Sequence, residues 1–234
     1  MWTLLLRLAG PLQSWGTDSR FEVRRTEFYP TKSGVLGLLA AALGRRRDAD
    51  ISDLARLRFG IRIEQPGILL NDFHTARKDD KTSYITNRYY LSDAVFVAGV
   101  SSTKKSFLEE LQEAVKSPEY PLFLGRRSCP LSLPIDLGIV NCDLKQALEE
   151  CSWQGSESLS KYNRSIILEG SGGKLTRRIM DEPLSYDIRH RKYDSRIVSE
   201  YPVPCPVEAN MEENEYLQIE HDAMGELEDL NAAD

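Results

Sequence analysis

Along residues 2–9 the apolar positions nearly alternate, with Trp2, Leu4, Leu6 and Leu8 on one side, Thr3 and Arg7 on the other, and Leu5 as the exception. A period of two predicts a strand with one buried face. Gly10-Pro11 breaks it, and Leu12 to Gly16 reads as a loop carrying Gln13, Ser14 and Trp15. From Val35 to Leu43 nearly every residue is apolar or Gly, which leaves no polar stripe. That pattern predicts a helix buried on all sides. Thr31 or Ser33 suits its start and Gly44 a left-handed cap at its end. Gly37, which costs about 1 kcal/mol in a helix interior, predicts close approach of another backbone. Lys32 and Ser33 fall at the helix's positive end, which suits a phosphate as well as an ordinary cap.

Further on, Leu57 to Glu64 alternates as a second strand, with Ile61 and Ile63 expected inward and Arg62 and Glu64 outward. Gln65-Pro66-Gly67 is a turn, and Ile68 to Phe73 is strand-like. Residues 74–89 are polar and lie between two strands, which predicts an extended hairpin projecting from the body. Tyr90 to Val100 then reads as one long buried strand. Phe107, Leu108, Leu111, Ala114 and Val115 mark an amphipathic helix over Thr103 to Lys116, with Ser106 and Glu109 in capping-box positions. Pro121 to Gly125 is the expected closing strand. The order strand, helix, strand, insertion, strand, helix, strand predicts an α+β fold: a ferredoxin-like or RRM-like domain over 1–140 with a hairpin inserted at about 74–89. For 141–207, a short helix capped by Asp143, a strand over Ser165 to Glu169 and a glycine link at Gly170–Gly173 predict a small β-rich C-terminal lobe.

Charge sharpens this picture. The net charge is −6, yet ten Asp/Glu and no Lys or Arg lie between Glu208 and Asp234. Without them 30 basic and 26 acidic residues remain, a net +4 for residues 1–207. The body is mildly basic and the acidity sits in a tail, which is too poor in large apolar groups to be expected to fold alone. Cys129, Cys142, Cys151 and Cys205 show no paired spacing, and His74, His190 and His221 are scattered, so no metal site is expected. No stretch approaches the roughly 20 apolar residues that span a bilayer. The start of the chain does not read as a signal peptide, and the cysteines suggest no disulfide pattern, which points to the cytoplasm.

The basic residues are interleaved with aromatics. Arg20, Arg24 and Arg25 alternate with Phe21, Phe28 and Tyr29, while Arg77, Lys78, Lys81 and Arg88 flank Tyr84 and Tyr89. Arg126, Arg127 and Ser128 follow Gly125, and Arg189-His190-Arg191-Lys192 forms another basic run. Arg45-Arg46-Arg47 reads as a complement to the buried helix's negative end. Single-stranded RNA is held by such phosphate contacts together with bases laid on aromatic or guanidinium planes. A competing reading is metal-independent RNA cleavage with His74 as base, helped by Lys78 and Tyr84. Thr31-Lys32-Ser33 lacks the glycine spacing of a nucleotide-binding P-loop.

Leu6-Arg7-Leu8-Ala9-Gly10-Pro11-Leu12-Gln13-Ser14-Trp15-Gly16 resembles the opening of the CRISPR-associated CasD family. Pro30-Thr31-Lys32-Ser33-Gly34, Asp72-Phe73-His74-Thr75, Tyr90-Leu91-Ser92-Asp93-Ala94 and Leu124-Gly125-Arg126-Arg127-Ser128-Cys129-Pro130-Leu131 follow in the family's order, with Asp181-Glu182-Pro183 a weaker match. The resemblance implies a non-catalytic subunit of a type I-E Cascade complex. It would bind the 5′ handle of a CRISPR RNA on an RRM-like domain, with a hairpin thumb across the guide. Expected partners are the crRNA, the backbone subunit and the large PAM-recognising subunit, with target DNA nearby; no cofactor, metal or membrane is expected. The residues expected to meet RNA are Gln13, Ser14, Trp15, Arg24, Arg25, Lys32, Ser33, Arg77, Arg88, Arg126, Arg127 and Ser128. The tail after Glu208 has no counterpart in the resemblance.

Overall fold

The structure is a computed structural model that describes residues 1–16, 19–20, 23–77, 83–156 and 164–203. Lys78 and the acidic tail, both named above, lie outside the described residues. Among the described residues twelve strands and four helices follow in order: β1 (Trp2–Ala9), β2 (Leu12–Gln13), β3 (Ser19–Arg20), β4 (Val23–Arg24), α1 (Lys32–Ala42), α2 (Ser52–Ala55), β5 (Arg58–Gln65), β6 (Ile68–Arg77), β7 (Ser83–Ser92), β8 (Val95–Ser102), α3 (Lys105–Lys116), β9 (Asp136–Val140), α4 (Leu144–Glu150), β10 (Arg164–Glu169), β11 (Leu175–Ser185) and β12 (Lys192–Val203). Seven strands form one sheet in the order β11-β12-β10-β5-β8-β1-β9, each antiparallel to its neighbours. A second sheet runs β2-β7-β4-β3, with β6 on β7.

Both faces of the large sheet are covered, which accounts for Leu5. Leu4, Leu6 and Leu8 pack into the main core with α1 and α3, while Leu5 joins Leu144, Leu148 and Ile166 under α4 on the opposite face. Thr3 is therefore buried as well, and its hydroxyl meets the Ser101 hydroxyl at 2.7 Å and the Cys142 carbonyl at 3.1 Å. The same layer overturns the outward placement of Arg62 and Glu64. Arg62 is fully buried and donates to the carbonyls of Leu148, Cys151 and Ser152 at 2.6, 2.6 and 2.9 Å, and it pairs with Glu64 at 2.5 Å. Carbonyls at a helix's C-terminal end lack intrahelical partners, and here a strand-borne guanidinium satisfies them. Burial holds the Glu64 carboxyl above its usual range.

Five further expectations change. Tyr90 to Val100 is two strands in two sheets, divided at Asp93, whose φ is +53°. Apolar runs look alike in either sheet, so composition could not place the switch. The inserted hairpin spans Ile68 to Ser92 rather than 74–89. Pro121 to Gly125 is a turn, and the strand beside β1 is β9, beyond the expected site. Residues 164–203 make no separate lobe, because β10 pairs with β5 and carries the large sheet onward. Within α3, Lys104 occupies the cap position without a side-chain cap bond, in place of the expected Ser106–Glu109 box.

Candidate nucleic-acid interface

The start of α1 is closed by the protein itself. The Thr31 hydroxyl accepts the Gly34 N–H at 3.2 Å, as its position suggests. The Lys32 N–H donates to the Asp181 carboxylate at 2.7 Å, so the helix's positive end holds an internal anion. Lys32 is 4% exposed, and its ammonium pairs at 2.8 Å with both Glu169 and Glu182. Arg196 grips Asp181 through two bonds of 2.6 and 2.8 Å. Lys32 thus turns inward and ties α1 to β10 and β11 instead of facing a ligand. A buried ammonium and a helix N-terminus both require negative charge, and three carboxylates supply it.

Gln13, Ser14 and Trp15 also point inward. Gln13 Nε2 donates to the carbonyls of Leu8 and Ala94 at 3.1 and 2.7 Å, bridging the end of β1 to the start of β8. Its Oε1 accepts the Trp15 indole N–H at 3.0 Å, and the Ser14 hydroxyl donates to the Tyr89 carbonyl at 3.0 Å. The Trp15 ring lies so close to α1 that a Cβ on Gly34 would sit 2.7 Å from it. Gly37 answers to a side chain rather than a backbone: the Tyr186 ring lies 3.6 Å from where its Cβ would be.

The turn after Phe123 locks onto this loop. Ser14 N–H donates to the Leu124 carbonyl at 3.1 Å, and Leu124 N–H to Cys129 at 2.8 Å. Gly125 has φ +82°, and a Cβ there would fall 1.8 Å from the Ser14 carbonyl oxygen. Only glycine fits both conditions. Gly125→Ala should cost about 2 kcal/mol and lower the melting temperature by several degrees. An unchanged melting curve would show that the turn can leave Ser14 freely. Beyond Gly125 the two arginines part. Arg126 lies over the Tyr90 ring at 4.8 Å and donates to the Arg24 carbonyl at 2.7 Å. Arg127 and Ser128 stay exposed.

Ser14, Trp15, Ser33 and Arg127 border one groove of about 660 Å³ along the open side of α1. Arg46 and Arg47 flank it from the end of α1, Tyr120 and Phe123 from the turn, and Tyr186, Arg191 and Tyr193 from the β11–β12 connection. The exposed guanidiniums of Arg46, Arg47, Arg127 and Arg191 make no side-chain hydrogen bond or ion pair among the described residues. Arg45 differs, being clasped by Asp53 through two 2.5 Å bonds that hold the Asp53 carboxyl below its usual range. Four cations with no side-chain partner among the described residues, set around aromatic rings, have the chemistry to hold a polyanion that carries flat groups. Arg46, Arg47, Arg191 and the tyrosines were absent from the expected set. Their sequence signal, two basic runs, is the same one that a solvated face gives.

Two tyrosines fasten the β11–β12 hairpin to this region. The Tyr186 hydroxyl donates to the Ser33 carbonyl at 2.5 Å, and burial pushes its phenol far up. The Tyr29 hydroxyl accepts from Arg177, and burial, partly offset by that arginine, pushes its phenol up to about 12. A raised tyrosine stabilises the fold below the unfolded value near 10 and loses that contribution as pH climbs toward 12. The melting temperature should therefore fall steeply between pH 10 and 12, and Tyr29→Phe should blunt the fall. A Tyr29→Phe profile parallel to the parent's would contradict this assignment.

The remaining expected residues lie on or beside the β6–β7 hairpin. Arg24 and Arg25 are exposed, and β4 runs parallel to β7 with Arg24 beside Arg88. Arg77 is exposed near the hairpin's end, and half-buried Arg88 stands across from Asp72. His74 pairs in register with Thr86 and Tyr84 with Ala76, so both side chains share one exposed face. Burial raises the thiols of Cys129, Cys142 and Cys151, so none of the three is primed as a nucleophile. Among the described residues no group of His, Cys, Asp and Glu is placed to hold a metal ion, and no helix is long and apolar enough to cross a membrane.

Fold and groove together define a mixed α+β protein, mostly sheet, with an arginine-lined cleft. The chain belongs to the CRISPR-associated Cas5 family, whose model matches residues 3–199. It is 38% identical to the CRISPR system Cascade subunit CasD of Escherichia coli (strain K12), across 77% of this chain and 88% of that one. Among solved structures it is similar to a chain described as a Cas protein, at 43% identity and a TM-score of 0.70, covering 87% of this chain and 95% of the other. A chain from a CRISPR RNA-guided surveillance complex matches at 32% identity and a TM-score of 0.74, covering 86% and 90%.

Proposed function

We propose that this protein is a non-catalytic subunit of a type I-E Cascade surveillance complex in the cytoplasm, and that it binds the 5′ handle of the crRNA in the arginine groove beside α1. The observation that carries this is the set of four unpaired guanidiniums around Tyr120, Phe123 and Tyr193, in a chain of the Cas5 family. Phosphates would take the guanidinium forks and unstacked bases the rings. The supporting frame is the ferredoxin-like unit β1–α1–β5–β8–α3–β9, whose strands stand in the spatial order β5-β8-β1-β9. The β6–β7 hairpin serves as a thumb across the guide. It exposes Ile68, Leu69, Leu70, Phe73 and Ile85, and among the described residues β6 pairs with β7 alone, which leaves one edge for the backbone subunit. The large PAM-recognising subunit and the target DNA complete its surroundings.

Expression with its partner subunits, purification of the complex and sequencing of the bound RNA tests this. CRISPR RNA with a constant 5′ end is expected, crosslinking to Arg127 and Tyr193 peptides. A complex that assembles without this chain touching the handle would overturn the reading. Incubated with repeat RNA in EDTA, the protein should yield no discrete product. A product lost in His74→Ala would instead establish cleavage on the hairpin face.

A further inference from the structure

The large sheet ends in two unlike edges. At one end β9 is five half-buried residues with a register shift against β1, and Gln112 and Lys116 of α3 reach its Asp136. At the other end β11 runs 11 residues from Leu175 to Ser185, and among the described residues it pairs with β12 alone. Its pairing is regular from Leu175 to Ile179, and Pro183, which has no N–H to offer, follows beyond the register shift. An edge strand presents a row of backbone N–H and C=O groups that a further strand can complete.

The side chains on this edge say what kind of strand. Arg177 stands opposite Val198 and Arg178 opposite Ile197, so the two arginines take opposite faces of the sheet. Arg177 turns to the core side, where it donates to the Tyr29 hydroxyl. Arg178 is exposed on the other face and makes no side-chain hydrogen bond or ion pair among the described residues. On the same two strands Leu175, Met180 and Ile197 are 57%, 62% and 45% exposed. A nucleic acid would use the cation and leave the apolar groups unmatched, whereas a protein strand can use the amides, the cation and the apolar groups together. A second copy of this chain fits poorly. Its edge would bring the same Arg178, while its Asp181 and Glu182 are turned inward onto Arg196 and Lys32.

We infer that the edge of β11 over Leu175–Met180 takes a β-strand from a partner protein, with an Asp or Glu opposite Arg178 and apolar residues two positions to either side. Period two puts those apolar residues on the face of Arg178, beside Met180 and Ile197. Main-chain hydrogen bonds give such an added strand its affinity, and the alternate side chains give it specificity. An opposite charge directly across the strands favours pairing and a like charge opposes it. Arg178 therefore works twice: it discourages pairing between copies of this edge and selects an acidic strand. The inference is independent of the arginine groove, which Leu175–Met180 do not line.

The test uses the full-length chain and a capped peptide of alternating valine and threonine, with one central valine replaced by glutamate. Amide hydrogen exchange is followed by NMR. The glutamate peptide should slow the fast-exchanging amides of Leu175–Met180 and bind about fivefold more tightly than its lysine counterpart. Arg178→Glu, an exposed change that should leave the melting temperature in place, should reverse that preference, and Arg178→Ser should erase it. An arbitrary single-stranded RNA should leave these amides untouched. Three results would each overturn the inference: no slowing with either peptide, the same peptide preference in the parent and Arg178→Glu, or slowing by RNA. Slowing that grows with protein concentration in the absence of peptide would give the edge to a second copy and overturn it as well. None of these outcomes bears on the groove, whose own test is the salt dependence of RNA binding.

Discussion

Replacing Arg46, Arg47 and Arg127 together with Ala should flatten the plot of log RNA affinity against log salt by about two units. Each phosphate contact on a single strand contributes a slope of roughly −0.7. Each lost charge-assisted contact also weakens binding, so affinity for handle RNA should fall about a hundredfold or more at low salt. Fold stability should change little, because the three side chains are exposed and bonded to nothing else among the described residues. Arg→Lys at the same positions should restore most of the slope and only part of the affinity, since an ammonium keeps the charge but not the fork. Arg126→Ala should behave differently: its guanidinium already lies on Tyr90 and holds the Arg24 carbonyl, so it should lower the melting temperature and leave the slope alone. A triple variant with the parent's slope and affinity would remove the groove as the RNA site.

Asp181→Ala should be the most destabilising single change near the site. Asp181 is fully buried and joins three elements: it accepts the Lys32 N–H of α1 and both bonds of Arg196 on β12, from its own place on β11. Removing it leaves a buried guanidinium short of its main partner, a loss that costs about 3–5 kcal/mol. Arg196 keeps Glu169 at 3.5 Å, which favours the lower end. For a chain of this length, about 3 kcal/mol corresponds to a fall in melting temperature of about 6–12 °C. The β11–β12 connection, with Tyr186, Arg191 and Tyr193, is fastened to α1 by the same cluster, so groove binding should weaken too. A melting temperature within a degree or two of the parent's would show that Glu169 and Glu182 suffice alone.

The sequence by itself determined those elements whose physics is local. The alternation of residues 2–9 and the apolar run from Val35 to Leu43 specify β1 and α1, and Thr31 and Gly44 mark the helix ends through bonds and dihedrals that span only a few residues. Asp143 likewise caps α4 from one residue away, accepting from Lys145 and Gln146. The segments quoted for the family resemblance were legible for the same reason: each is contiguous. What tertiary structure alone decided is which face a polar side chain takes and which distant residue it meets. Arg62 and Glu64 alternate as solvent-facing residues should, and only α4, arriving some ninety residues later, encloses them. Lys32 looked free until β10 and β11 brought Glu169, Glu182 and Asp181 to it. The adjacent Arg126 and Arg127 part because the turn at Gly125 lies against Ser14, a contact more than a hundred residues long in sequence. The groove itself joins residues from Ser14 to Tyr193. Charge and hydropathy along a chain record what each residue prefers, but long-range chain closure decides which preferences are met by water and which by another part of the protein.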